Sequence, residues 1–292
     1  MEIKQLRNFV KIVEEGNITR AAQKLNMSQP PLSTQMHQLE MELNCVLFQR
    51  GSRNIILTDA GAILYEKAKT ILILSDQIPE NINSLETAAS VLHLGIISSV
   101  SNYLPDSIIP SYIQKHPNIS YRIYEKNTYQ LIDDIFSNIV DMAIVRTPFQ
   151  NTGLTCYPIK NNLMYAVGKK HFFDNILSES VDLKDLSNSP LIIYRRWEDI
   201  LRKHFLSYTI APQFQCINDD ARTTLYWAEA GLGIGIVPES IITKTKGSDI
   251  VLKPIKDSSL ASEITLIHLK GKALSSAAKA FIAYIREIGT EV

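Results

Sequence analysis

The stretch NITRAAQKLNMSQPPLSTQMHQLE, residues 17–40, decides how this chain is read. It has the periodicity of two short amphipathic helices, yet Pro30 and Pro31 stand where the second begins. Ala21, Ala22 and Leu25, with Met27, make the first apolar face; Thr19 is its expected N-cap and Asn26 its end. Leu32, Met36, Leu39 and Leu43 make the second, and all four are expected to turn inward. If Ser28 caps this second helix, Gln29, Pro30 and Pro31 fill its first turn. Amide groups there have no intrahelical partner, and the φ of proline is already helical, so the pair costs little. A capping serine normally accepts from the second or third helical N–H, and both positions are prolines here. The Ser28 hydroxyl is therefore left to meet a phosphate oxygen at a helix N-terminus, where the dipole favours anions.

The opposite face carries Pro30, Thr34, His37, Gln38 and Met41, flanked by Ser33 and Gln35. These are short, uncharged donors and acceptors of the kind that read base edges in a major groove. A merely solvated face would be rich in Lys and Glu, and this one has neither before Glu40. Upstream, Ile3, Leu6, Phe9, Val10 and Val13 share one helical face that Gly16-Asn17 ends. Three helices in succession make a helix-turn-helix arrangement. Downstream, FQRGSRNIILTDAG (48–61) sets Arg50 and Arg53 around a Gly-Ser turn before a β-rich run. That reads as a hairpin wing touching phosphate or a minor groove.

Residues 1–58 hold seven Lys/Arg (4, 7, 11, 20, 24, 50, 53) and five Asp/Glu (2, 14, 15, 40, 42), a net of +2. Counterion release scales with the phosphates contacted, so one copy should bind weakly and a dimer is expected. Thr58-Asp59 offers an N-cap, and apolar residues then recur at 60, 64, 68, 71, 74, 78, 82 and 85. Such a stripe suits a long helix packed against a partner copy. Pro79 should kink it, or mark two helices meeting near 77–79.

TRAAQKLNMSQPPLSTQMHQLEMELNCVLFQR followed by LTDAG is very similar to the signature of LysR-type transcriptional regulators, nearly unbroken over residues 1–66. The resemblance implies an α/β protein overall: an N-terminal winged helix-turn-helix (1–58), a linker helix that dimerises (59–87), and an effector-binding domain (88–292). It places DNA contacts at Ser28, Gln29, Pro30, Ser33, Thr34, Gln38, Arg50 and Arg53. Two departures stand out. Thr34 occupies a place often held by a cation, which alters base preference, and Pro79 is unusual in the linker helix.

From residue 91 short apolar runs alternate with helical stretches, the pattern of a parallel α/β sheet. Strands are expected at 91–97, 119–125, 140–146, 154–159, 163–168, 191–194, 214–217 and 264–269. Helices are expected at 102–116, after 125 through Phe136, and near 197–207, 221–230 and 273–288. The effector domain of the resembled family is two-lobed and periplasmic-binding-protein-like. This implies lobe I at 88–161 and 266–292, and lobe II at 162–265. In such sheets ligands sit beyond the carboxyl ends of strands. That rule selects Ser98, Ser99, Thr128, Arg146 and Thr147 in lobe I, with Arg195, Arg196 and Asn218 facing them from lobe II. Hydroxyls beside a helix N-terminus together with a guanidinium suit a carboxylate or another small anion.

The remaining features bound the function. The chain has 292 residues, enough for two or three compact units at ~150 residues each. Its 30 basic and 30 acidic side chains cancel, so bulk charge offers no support for nucleic-acid binding and leaves room for a small basic face. The charged N-terminus is not a secretory signal, and no window approaches the ~20 apolar residues of a membrane span. Cys45, Cys156 and Cys216 are widely spaced, as thiols in a reducing cytoplasm are. Neither a nucleophile elbow, a P-loop nor a zinc motif occurs, and the histidines lack ligand spacing, so no enzyme, cofactor or metal is expected. The expected protein is a cytoplasmic, homotetrameric transcription regulator binding double-stranded DNA and a small anionic effector. Its alternatives are a redox sensor using Cys156 and Cys216, or a solute-binding protein.

Overall fold

The computed structural model describes residues 1–50, 55–86, 90–101, 104, 108–242, 249–257 and 260–289, without the side chains of 50, 81 and 83–86. It falls into two compact units, Met1–Thr87 and Ala88–Val292.

The first unit opens with α1 (Ile3–Glu15), α2 (Ile18–Lys24) and α3 (Gln29–Leu43). Gly16 ends α1 at φ 61°, a left-handed turn that favours glycine. The N-cap of α2 is Asn17 rather than Thr19: its side chain accepts from the amides of Thr19 and Arg20. The two-residue difference follows from Gly16, which turns the chain so that Asn17 is already extended. Asn26, at φ 52°, closes the turn between α2 and α3. A two-stranded antiparallel ribbon, β1 (Phe48–Arg50) and β2 (Ile55–Leu57), pairs Phe48 with Leu57. Leu32, Met36 and Leu39 pack with Leu6, Phe9, Ile12, Ala21, Ala22 and Leu47 in one core. Burying each large aliphatic side chain there contributes about 1.5–3 kcal/mol. Leu43 departs from expectation: it is the last residue of α3, beside the left-handed Asn44 cap, and is exposed.

The helix α4 (Asp59–Glu86) runs through Pro79 without a break, which corrects the expectation of two helices meeting there. Its apolar stripe also divides. Ala60, Leu64, Ala68 and Ile71 pack on the core of their own unit, whereas Ile78 and Ile82 are exposed.

The second unit holds two five-stranded sheets. The first comprises β3 (Ser90–Ile96), β4 (Ile119–Glu125), β5 (Met142–Arg146), β6 (Leu154–Asn162) and β12 (Ser262–Leu269), in the order β4-β3-β5-β12-β6. The second comprises β7 (Met164–Lys169), β8 (Leu191–Tyr194), β9 (Phe214–Asn218), β10 (Ile234–Pro238) and β11 (Ile250–Pro254), in the order β11-β7-β10-β8-β9. The helices are α5 (Ile109–Lys115), α6 (Thr128–Phe136), α7 (Glu198–Ser207), α8 (Ala221–Glu229) and α9 (Ser276–Gly289). The helix expected over 102–116 is thus shorter among the described residues, since 102, 103 and 105–107 lie outside them.

Neither sheet is purely parallel. β3, β4 and β5 run parallel, as do β8, β9 and β10, but β12 is antiparallel to both β5 and β6, and β7 to both β10 and β11. The chain passes from one sheet to the other between β6 and β7 and returns between β11 and β12. Strands entered from a crossing rather than from a βαβ helix are free to run the other way. β12 belongs to the first sheet from Ser262, four residues before the return expected at 266. Among the described residues no helix is long and apolar enough to cross a membrane.

Candidate DNA-reading helix and effector cleft

The N-terminus of α3 has the geometry that its sequence implied. Ser28 is the N-cap in extended conformation, and its side chain makes no capping hydrogen bond. Ser28, Gln29, Pro30, Thr34, His37, Gln38 and Met41 are exposed in one unit, while Ser33 is half-buried. The Thr34 hydroxyl donates to the Pro30 carbonyl at 3.1 Å, and Gln35 accepts from the Asn8 amide at 2.6 Å, tying that flank to α1. Arg50 ends β1, its side chain not described, and Arg53 lies outside the described residues.

In the second unit a cleft of about 310 Å³ lies between the sheets. Its walls come from the carboxyl ends of the parallel strands and the turns just beyond them: Ser98-Ser99 after β3, Asn127-Thr128 after β4, Arg146 at the end of β5, Tyr194 and Arg196 at β8, and Asp219-Asp220 after β9. Asn127 caps α6, accepting from the Gln130 amide at 3.0 Å, which turns that helix N-terminus to the cleft.

Arg146 is the centre of the arrangement. It is 2% exposed, yet among the described residues it touches no carboxylate. One terminal nitrogen donates to Asn162 and Ser262 at 2.8 Å each, the other to Ser240 at 2.8 Å and Ser99 at 3.4 Å. Its Nε is buried without an acceptor. Burial, then the nearby Arg196, holds its pKa well below the usual guanidinium range. Arg196 is in a similar condition: it donates to the carbonyls of Arg146 (2.6 Å) and Pro148 (2.9 Å), its Nε is buried without an acceptor, and burial lowers its pKa. Two desolvated cations without a counter-ion are costly, and an anion in the cleft would offset that cost.

Around them stand four ion pairs. Arg222 holds both Glu125 (2.8 Å) and Asp220 (2.7 Å), which spans the cleft from α8 to β4. Lys126 pairs with Asp134 at 2.7 Å and Arg195 with Asp219 at 2.6 Å. The hydroxyl of Ser240 donates to the Ser99 carbonyl at 2.6 Å, a second stitch between the sheets.

Of the residues that the sequence selected, the cleft brings together Ser98, Ser99, Thr128, Arg146 and Arg196. It does not gather the other three. The Thr147 hydroxyl accepts from the Glu263 amide at 2.8 Å, Asn218 exchanges hydrogen bonds with Thr224 and Asp220, and Arg195 is exposed on Asp219. Arg195 and Arg196 are adjacent on one helical turn, so they diverge, and it is Arg196 that faces inward. Ser240 was missed. The end-of-strand rule finds it once Ile234–Pro238 is recognised as a strand.

Cys156 lies on β6 of one sheet and Cys216 on β9 of the other. Burial raises the pKa of Cys156, with Glu263 adding to the effect, the opposite of what a reactive thiolate needs.

A helix-turn-helix unit with an exposed, uncharged reading face, joined to a two-lobed α/β unit with an ion-lined cleft, defines the class of ligand-responsive DNA-binding regulators. Family comparison makes this specific. The family model described as bacterial regulatory helix-turn-helix protein, lysR family, matches residues 3–62, and that of the LysR substrate binding domain matches residues 86–289. The chain belongs to the LysR family of transcriptional regulators: it binds DNA, carries an effector-binding domain and oligomerises, and it is not an enzyme. It is 30% identical to the HTH-type transcriptional regulator BenM of Acinetobacter baylyi over 248 residues, 82% of this chain and 81% of that one. It is 31% identical over 195 residues to the dual regulator OxyR of Escherichia coli, covering 66% and 63% of the two chains. The crystal structure of CbnR, a LysR family regulator, shares the fold with a TM-score of 0.83 at 22% identity, over 99% of both chains.

Proposed function

We propose that this regulator is switched by a small anion bound between its two lobes, on Arg146 and Arg196. The observation that carries the reading is the buried guanidinium of Arg146 beside the half-buried one of Arg196, with no carboxylate against either among the described residues. Ser98, Ser99 and Thr128 complete the ligand's surroundings with hydroxyls. Binding biases the relative position of lobes that are already stitched by Arg222–Glu125 and Ser240–Ser99. A coupling of ~1–3 kcal/mol suffices for a response of several-fold or more.

Residues 1–58 read DNA, with Ser28, Gln29, Pro30, Ser33, Thr34 and Gln38 at the groove and Arg50 and Arg53 on the backbone. Residues 59–87 form the dimerising linker, supported by the exposed Ile78 and Ile82 of α4, and residues 88–292 bind effector. The protein works in the cytoplasm as a homotetramer, two dimers side by side. Gln38→Ala is expected to lower affinity for the chain's own upstream region by about tenfold and to relax base preference at one position, as loss of a bidentate base contact does. Gel shifts on single-base operator variants check this; an unchanged preference would remove Gln38 from the reading face.

The redox alternative has a direct test. The double variant Cys156→Ser/Cys216→Ser is expected to keep its full effector response, because the two thiols sit on different sheets. A lost response in a reporter assay would restore that alternative.

A further inference from the structure

The cleft is not uniformly basic, and its polarity restricts the ligand. Arg146 and Arg196 form one pole with two uncompensated positive charges. At the other, Glu125 and Asp220 share the single guanidinium of Arg222, which leaves one carboxylate charge over. Asp219 and Lys126 are each matched by their own partners, Arg195 and Asp134. A plain carboxylate satisfies the basic pole and is repelled by the acidic one; a plain amine meets the reverse.

We infer that the effector is an amino-acid-type zwitterion, its carboxylate on Arg146 and Arg196 and its ammonium on Glu125. The inference rests on the cleft being the effector site. Asp220 is already committed: it caps α8, accepting from the Arg222 amide at 2.7 Å, and its carboxylate also receives the Arg222 side chain. Glu125 has capacity to spare. It is 40% exposed, and its second oxygen is 3.4 Å from Arg222. Asp220 therefore sets the local field and Glu125 makes the contact. The size agrees, since a cleft of about 310 Å³ whose lining residues are mostly polar or charged, with Ile97 and Tyr194 among them, suits a small molecule.

The test compares the twenty standard L-amino acids with their deaminated acids, alanine beside propionate and aspartate beside succinate, by calorimetry on the full-length protein. At least one amino acid is expected to bind about tenfold or more tightly than its deaminated partner, the worth of one charge-assisted hydrogen bond. Glu125→Gln, at an exposed position that caps no helix, is expected to erase that preference by weakening the amino acid, while the deaminated acid, relieved of repulsion from the acidic pole, binds at least as tightly as before. Equal binding of the two series, or equal weakening of both by Glu125→Gln, overturns the zwitterion and leaves the anion site standing. No binding in either series overturns both.

Discussion

Arg146→Met is expected to abolish the effector response while shifting the melting temperature by no more than about 3 °C. The two halves of that result have different causes. The guanidinium is the proposed main anion ligand, and losing a buried charge-assisted contact should weaken effector binding by about 100-fold or more. For stability, two effects oppose one another. Its four hydrogen bonds go to neutral oxygens, and three of these belong to hydroxyls that can donate elsewhere once it is gone. Against that loss stands relief from burying a charge with no counter-ion, and replacing such groups with an apolar side chain of similar volume is often neutral or favourable. A net within about 1 kcal/mol corresponds to roughly 2–4 °C for a unit of this size. The residue is thus held for function rather than for folding. A large fall in melting temperature with effector affinity retained would show the opposite.

The second large effect lies in the DNA-binding unit, at the Gly61 of LTDAG. A Cβ there would stand 2.2 Å from the Leu47 carbonyl oxygen and 2.9 Å from a Leu57 methyl. That carbonyl is pinned, because it accepts from the Thr58 amide at 3.1 Å while the Leu47 amide donates to Glu40 at 2.8 Å. Alanine is better than glycine inside a helix by about 1 kcal/mol, which would favour the substitution if space allowed. The clash decides the sign, and Gly61→Ala should destabilise the unit by about 2–3 kcal/mol net. Urea melts read the loss, and DNA affinity should fall with it. Ile63→Ala, at a position 67% exposed, serves as the control and should change stability by less than about 0.5 kcal/mol.

These cases show what was legible in the chain. Periodicity placed α1, α3 and the edges of β4 and β8, because apolar spacing and burial are the same information seen twice. The double proline placed the start of α3, because only the first helical turn tolerates it. The strand β10 was not legible: Gly233 and Gly235 lower its strand propensity. They are there because a Cβ at Gly233 would meet the Pro190 carbonyl at 2.3 Å, and one at Gly235 would meet the Ala228 methyl at 2.9 Å. Missing that strand concealed Ser240, which both accepts from Arg146 and binds Ser99.

The cleft was half legible for a related reason. Strand ends predict which residues arrive near a ligand, but not which way each side chain leaves the backbone. Arg195 and Arg196 are equivalent in sequence, and only the turn between β8 and α7 separates the exposed one from the buried one. Thr147 and Asn218 arrive at strand ends too, and both are consumed by neighbouring backbone and hydroxyl groups. The ion pair from Arg222 to Glu125 joins residues 97 positions apart, a pairing that no local pattern encodes.

The central claim is that an anion on Arg146 changes how the protein holds DNA. Its most direct test is the affinity and footprint of the full-length protein on its own upstream region, with and without the carboxylate that binds it in calorimetry. The wild type is expected to shift its affinity severalfold or change its footprint, and Arg146→Met to bind the same DNA with neither change. A variant that responds as the wild type does would contradict the account.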